Sequence, residues 1–261
     1  MTPRERQQYR RGGLYALLFI LAGVAVAFTD WETVGKQFFD LEIAAEMFPE
    51  VITIAVRNTI FYTALAFTFG LVLGLLLALM KLSSIGPYRW LANVYIELFR
   101  GLPALVTLIL VGFGIPIALG INIPGGTAGK ASVGLGLVAA AYMAETIRAG
   151  IQAVPKGQLE AARSLGMSSS RAMVSIVIPQ AFRIIIPPLT NELVLLIKDT
   201  SLVFVLGTTP QTKELTKFGR ELLGQKVNGT PLTVIALMYL AITLPMTQLV
   251  ARLEKKQARA H

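Results

Sequence analysis

The sequence predicts an all-α, polytopic membrane protein with about six transmembrane helices and one short helix set into a cytoplasmic loop. Three observations carry this expectation. Apolar residues make up 54% of the 261 positions and charged residues only 15%, whereas a water-soluble domain carries about a quarter charged residues. The mean hydropathy is +0.63. The charges are also unevenly placed, leaving long uncharged runs between them, as required where helices of about 20 apolar residues cross a bilayer.

Taken in order, the first such run is Gly12 to Thr29, 18 residues preceded by Arg4, Arg6, Arg10 and Arg11. Its Ala25-Val26-Ala27 ending also fits a cleaved signal peptide, so a retained helix and a removed leader are both open. Asn58 to Met80 gives 23 uncharged residues, Gly101 to Gly129 gives 29, and Val227 to Ala251 gives 25. Two further spans are interrupted. Ala131 to Ala144 stops at Glu145 and Arg148, and Ile184 to Val205 contains Glu192, Lys198 and Asp199. Ionisable groups in a membrane helix face protein or a watery path, so both count toward the six. The chain divides into an N-terminal segment with the first helix and first external loop (1–50), a transmembrane domain (51–250) with a loop of separate design (155–179), and a basic tail (251–261).

Lys and Arg number 24 against 15 Asp and Glu, a formal +9. With the N-terminus inside, fifteen basic residues fall in inside segments and six in outside segments, which satisfies the positive-inside rule with both termini cytoplasmic. Six acids, Asp30, Glu32, Asp40, Glu42, Glu46 and Glu50, lie in the first outside loop. The basic excess therefore needs a lipid bilayer and no nucleic acid to explain it. The absence of cysteine and a lone terminal histidine, His261, argue against disulfides, a histidine base and a multi-histidine metal site. No catalytic residue and no metal site is expected.

The inside loop after the fourth span is not a plain connector. Val154-Pro155-Lys156-Gly157 breaks the preceding helix. Gln158 to Leu165 then reads as a short amphipathic helix ended by Gly166. Eight residues make a peg of about 12 Å. Ala161 and Ala162 allow close approach, Glu160 and Arg163 offer charges, and Leu159 and Leu165 can anchor the peg or fill a partner's groove. On periodicity alone, an interfacial helix and a docking peg are equally open.

The residues themselves favour the peg. Glu160-Ala161-Ala162, then Gly166, Ile176, Ile178 and Pro179 at their spacings resemble the cytoplasmic coupling motif of ABC importer permeases, with Ile178 where leucine is usual. Glu97 to Pro103, Ala144 to Gln158, Pro187 to Glu192 and Lys198 to Leu202 are similar to the polar amino acid uptake branch of that family. This resemblance implies several partners: a second permease subunit, identical or homologous; two ATP-binding cassette ATPase subunits that use ATP and Mg; and an extracytoplasmic amino-acid-binding protein. It implies that Gly157, Glu160, Ala161, Ala162, Arg163 and Gly166 couple to the ATPases, and that the chain binds no cofactor. In keeping with this, the nearest approach to a phosphate loop, Gly125 to Ala131, has Pro124 at the first glycine position and Ala131 after Gly129-Lys130; it reads as an outside turn.

The expected path lies where helices are interrupted and charged. Pro179, Pro187 and Pro188 remove helical donors, which predicts a kink in the fifth span. An amino acid brings an ammonium and a carboxylate, so a path for it needs acids or carbonyls as well as donors. The candidates are Glu97, Arg100, Glu145, Asn191, Glu192 and Asp199, although Glu97 with Arg100, and Glu145 with Arg148, are spaced to pair with each other. Arg57, Arg100 and Lys198 hint at a glutamate- or glutamine-like substrate. The rival readings are a secondary carrier or channel without an ATPase, and an intramembrane enzyme, which lacks any nucleophile with a histidine partner.

Overall fold

Every element among the described residues, 3–258 of the computed structural model, is helical. Arg259 and His261, part of the expected basic tail, lie outside the described residues. Helix α1 (Pro3–Phe28) is followed by two short helices, α2 (Trp31–Phe38) and α3 (Leu41–Glu46), capped by Asp30 and Asp40. A π-helical turn, Val51–Val56, leads into α4 (Arg57–Leu82). Then come α5 (Gly86–Gly101), α6 (Ala104–Ile109), a π-turn at Leu110–Gly114 and α7 (Ile115–Leu119). The long α8 (Gly126–Gln152) precedes α9 (Lys156–Ser164) and α10 (Ser169–Ala172). A further π-turn, Met173–Val177, enters α11 (Ile178–Asp199), which ends in a 3-10 stretch at Thr200–Leu206; α12 (Leu215–Lys226) and α13 (Thr230–Ala258) complete the chain.

The centre of the molecule is the pair α4 and α8. They meet along a seam of small residues, the usual solution where apolar solvent gives no hydrophobic drive and close contact must hold helices together. A methyl on Gly70 would lie 3.1 Å from Ala139 Cβ, and one on Gly74 would lie 3.0 Å from both Ala140 O and Met143 Cβ. Helix α11 closes on α8 in the same way: a Cβ on Gly150 would stand 2.2 Å from Ile185. The buried side chains fall into three clusters. One, at the end carrying α9, joins Leu77, Ala144, Ile147, Val177 and Ile185, with Leu159 of α9 packed against it. A middle cluster holds Tyr62, Leu108, Leu135, Met143 and Leu206. The third, at the far end, gathers Met47, Val51, Leu215, Phe218 and Ile235.

At the far end the loop before α12 is pinned to α4. Asn58 Nδ2 donates to Gln211 O and Lys213 O at 2.8 and 2.9 Å, Tyr62 Oη to Thr212 O at 2.7 Å, and Leu215 N to Thr59 Oγ1 at 3.2 Å. Glu214, fully buried, caps α12 by accepting from Thr216 N at 2.6 Å and Lys217 N at 2.8 Å. Burial lifts its carboxyl to about 7 even though these donors favour the charged form.

Several expectations change against this architecture. Four helical stretches are long and apolar enough to cross a membrane: Arg11–Phe28, Val51–Leu82, Ser169–Leu206 and Thr230–Lys255. The expected single span from 101 to 129 is instead the second arm of a bent pair, Gly86–Gly101 with Ala104–Leu119, turned by 106°. The cause is local: Leu102 is extended, as a residue before proline prefers, and Pro103 starts the next helix. The span expected at 131–144 is the interior of α8, a helix of 27 residues and so about 40 Å long. Its twelve buried residues are mostly Gly and Ala, because it is surrounded by protein. Six spans are reached by counting this helix and the bent pair.

The prolines expected to kink the fifth span lie within one helical stretch, Ser169–Leu206. Pro179 follows directly on the π-turn Met173–Val177, where the regular i to i−4 ladder is already interrupted. Pro187 and Pro188 sit inside α11, which stays helical through them, and Ile185 and Pro187 are buried. The glycine turn before α8 is tight: Gly125 and Gly126 have φ of 87° and 60°, and a Cβ on Gly129 would come 1.8 Å from Pro124 O.

Candidate functional site

The bend between α5 and α6 opens a cavity of about 530 Å³ against α8 and α11. Its polar lining is Arg100 from the last turn of α5, Tyr142 from α8, and Glu192 and Asp199 from α11. Leu102, Pro103, Val138, Ala139, Leu195 and Leu196 supply the apolar wall. Glu192 and Asp199 are seven residues apart, two helical turns, and so share one face about 10 Å apart along the axis. The Arg100 guanidinium lies over the Tyr142 ring, 5.6 Å from its centroid, an arrangement that steadies the cation without consuming its hydrogen-bond donors. One cation and two carboxylates lining the same apolar-walled space have the chemistry to hold a zwitterion by both of its charges.

Three of the six candidate path residues, Arg100, Glu192 and Asp199, are therefore brought together. Glu97, Glu145 and Asn191 do not line this cavity. Glu97 and Asn191 are exposed; Asn191 is one residue from Glu192 and so turned about 100° away on the same helix. No ion pair joins Glu97 to Arg100 among the described residues, whereas Glu145 and Arg148 do pair. Arg148 donates to Glu145 Oε2 from Nη2 at 2.7 Å and from Nε at 3.1 Å, and its Nη1 donates to Gln152. The other oxygen of Glu145 takes the ammonium of Lys81, at the end of α4. All three side chains are between 20% and 27% exposed, so the triad is a half-buried junction between two helices. Sequence reasoning placed Lys81 only as an inside charge, and it missed Tyr142, which carries no distinguishing signal in the sequence.

The peg is present as α9. Pro155 caps its start in an extended conformation, and Gly166, at φ 86°, turns the chain out so that Met167 N donates to Ala162 O at 3.2 Å. Ser168 then caps α10 by accepting from Arg171 N. Leu159 is the anchor, packed on the core below, while Leu165 is 85% exposed. Gly157, Glu160, Ala161, Arg163 and Gly166 are exposed; Ala162 is only 6% exposed. Of the two alanines expected to allow close approach, Ala162 is buried against its own chain and Ala161 is exposed.

Known proteins resemble this chain in sequence and in fold. The family of binding-protein-dependent transport system inner membrane components matches residues 70–259. The chain is 36% identical over 212 residues to the probable glutamine ABC transporter permease protein GlnM of Bacillus subtilis, covering 78% of this chain and 92% of that protein. It is 38% identical over 187 residues to the arginine transport system permease protein ArtQ of the same organism, covering 72% and 83%. Among solved structures, an amino acid ABC transporter crystallised with histidines superposes with a TM-score of 0.74 at 38% identity, over 83% of this chain and 98% of that one. A bacterial ABC transporter for alginate import shares the fold, with a TM-score of 0.67 at 13% identity, over 97% and 99%.

Proposed function

The chain belongs to the family of binding-protein-dependent transport system inner membrane components, and from that premise we propose how its helices carry a substrate. It is the permease subunit of an amino acid ABC importer, a multi-pass protein of the inner membrane, and not itself the ATPase. The proposal is that polar amino acids pass through the cavity between α5, α8 and α11 by alternating access. Arg100 holds the α-carboxylate, and Glu192 and Asp199 share the ammonium. The observation that carries this is that one cation and two carboxylates line one cavity. A lining with one excess negative charge suits a neutral or cationic amino acid. It argues against a glutamate-like amino acid of net charge −1: of Arg57, Arg100 and Lys198, only Arg100 lines the cavity.

In this reading both termini and α9 are cytoplasmic, a second permease subunit completes the path, and an extracytoplasmic binding protein delivers the amino acid. Two ATP-binding cassette subunits receive Glu160, Ala161 and Arg163 of α9, and they hold the ATP and Mg. Their closure moves α9 and rocks the helices. A carrier or channel without an ATPase gives no role to an exposed, tightly capped helix at this position, so it is not favoured.

Binding at the cavity is tested by uptake into proteoliposomes that contain the permease with its ATPase and binding protein. Arg100→Ala removes a charge-assisted hydrogen bond worth about 1.5–3 kcal/mol. The expected result is uptake reduced by about tenfold or more, with binding-protein affinity and complex assembly unchanged. Wild-type uptake in the Arg100→Ala variant would overturn the assignment.

A further inference from the structure

The triad of Lys81, Glu145 and Arg148 lies outside the cavity and outside α9, yet on the line that joins them. Helix α9 follows α8 after the turn at Ala153–Pro155. The cavity wall at Tyr142 lies ten residues before the end of α8 at Gln152, about 15 Å along the helix. Glu145 sits between the two, one turn from Tyr142. Any movement of α9 that reaches the cavity through α8 passes this point.

What keeps α8 from moving alone is its contact with α4. That contact is a seam of glycine and alanine, Gly70 and Gly74 against Ala139, Ala140 and Ala144. Small residues bring the backbones close, but they offer few protruding side chains to block sliding of one helix along the other. The charged junction lies just beyond Ala144 and is of a different kind. A single half-buried carboxylate is held from both sides, by Lys81 across the interface and by Arg148 on its own helix, with Gln152 holding Arg148 in turn. Because a shift of one residue would leave a poorly hydrated charge unpaired, such a contact fixes register more firmly than an exposed pair does.

We infer that Lys81, Glu145 and Arg148 are positioning residues that clamp α4 and α8 into one rigid arm, through which displacement of α9 reaches the cavity. The inference rests on the ATP-driven reading above. It assigns Glu145 to transmission and not to contact with substrate.

The test uses the complete transporter in proteoliposomes and reads the number of amino acid molecules taken up per ATP hydrolysed. Glu145→Gln is expected to keep ATP hydrolysis while lowering that ratio by about tenfold or more; Lys81→Arg, which keeps the charge, should retain the wild-type ratio. Because the chain contains no cysteine, the pair Lys81→Cys with Glu145→Cys can be joined by a short bifunctional thiol reagent once cysteines of the partner subunits are replaced. Before joining, this double variant should show the low ratio; after joining, the ratio should recover. This second variant decides the matter if Glu145→Gln does not assemble. A wild-type ratio in Glu145→Gln or in the unjoined pair would overturn the clamp. So would uptake blocked by the link, since the helices would then have to slide during transport. If instead the wild-type transporter took up amino acid without hydrolysing ATP, the ATP-driven reading itself would fall, independently of the clamp.

Discussion

Glu214 shows how strongly a single site can depart from what its residue type suggests. It is a buried carboxylate that caps α12, and burial places its titration at about 7, against an ordinary value of 4.5. Below 4.5 the folded and unfolded chains both hold the proton; between 4.5 and 7 only the folded chain does. Stability from this group is therefore greatest in acid and falls as the pH rises through 7. The thermal unfolding temperature of the detergent-solubilised protein should decline between pH 5 and pH 8, and Glu214→Gln should flatten that decline; an unchanged slope in the variant would refute the account. Arg100, Glu192 and Asp199 illustrate what could be read without a structure. The seven-residue spacing of the two acids already puts them on one helix face, whereas the pairing of Glu145 with Lys81 joins positions 64 residues apart and has no local signature. Sequence reasoning gave Glu145 both as a path candidate and as spaced to pair with Arg148; the structure shows that pair and adds Lys81 to it.

At the scale of elements, the long apolar runs were legible because lipid-exposed helices announce themselves by composition. The elements that were misjudged are those defined by other helices. Helix α8 is poor in large apolar residues because protein, not lipid, surrounds it, so hydropathy under-reports its length. The bend at Leu102–Pro103 was marked by the proline but was hidden inside an uncharged run that read as one span. Pro187 and Pro188 lie inside α11, which stays helical through them. Helix contacts made through glycine give a direct test of helix packing. Gly150→Val inserts carbon into the space held by Ile185, where even a Cβ stands 2.2 Å away, and should cost about 1–3 kcal/mol of stability, read as a lowered unfolding temperature. Gly157→Ala, at a position with open space around it, should leave that temperature unchanged.

The whole molecule is a set of helices built around α4 and α8, with the cavity in the middle, α9 at one end and the pinned loop before α12 at the other. Helix α1 stands apart: no residue of its apolar stretch Arg11–Phe28 is buried, so its removal should leave the unfolding temperature of the remaining helices where it is. The sequence indicated this organisation through the charge asymmetry of its loops and through the one loop whose glycines, alanines and charges were too regularly placed for a connector. The central claim is that energy enters at α9 and is spent moving an amino acid through the cavity. The most direct test is Glu160→Lys in the reconstituted transporter, with uptake and substrate-stimulated ATP hydrolysis measured together. The expected result is that both collapse while the permease remains folded in the membrane, because Glu160 is exposed and the fold does not rest on it. Uptake that persists at the wild-type rate would contradict the account.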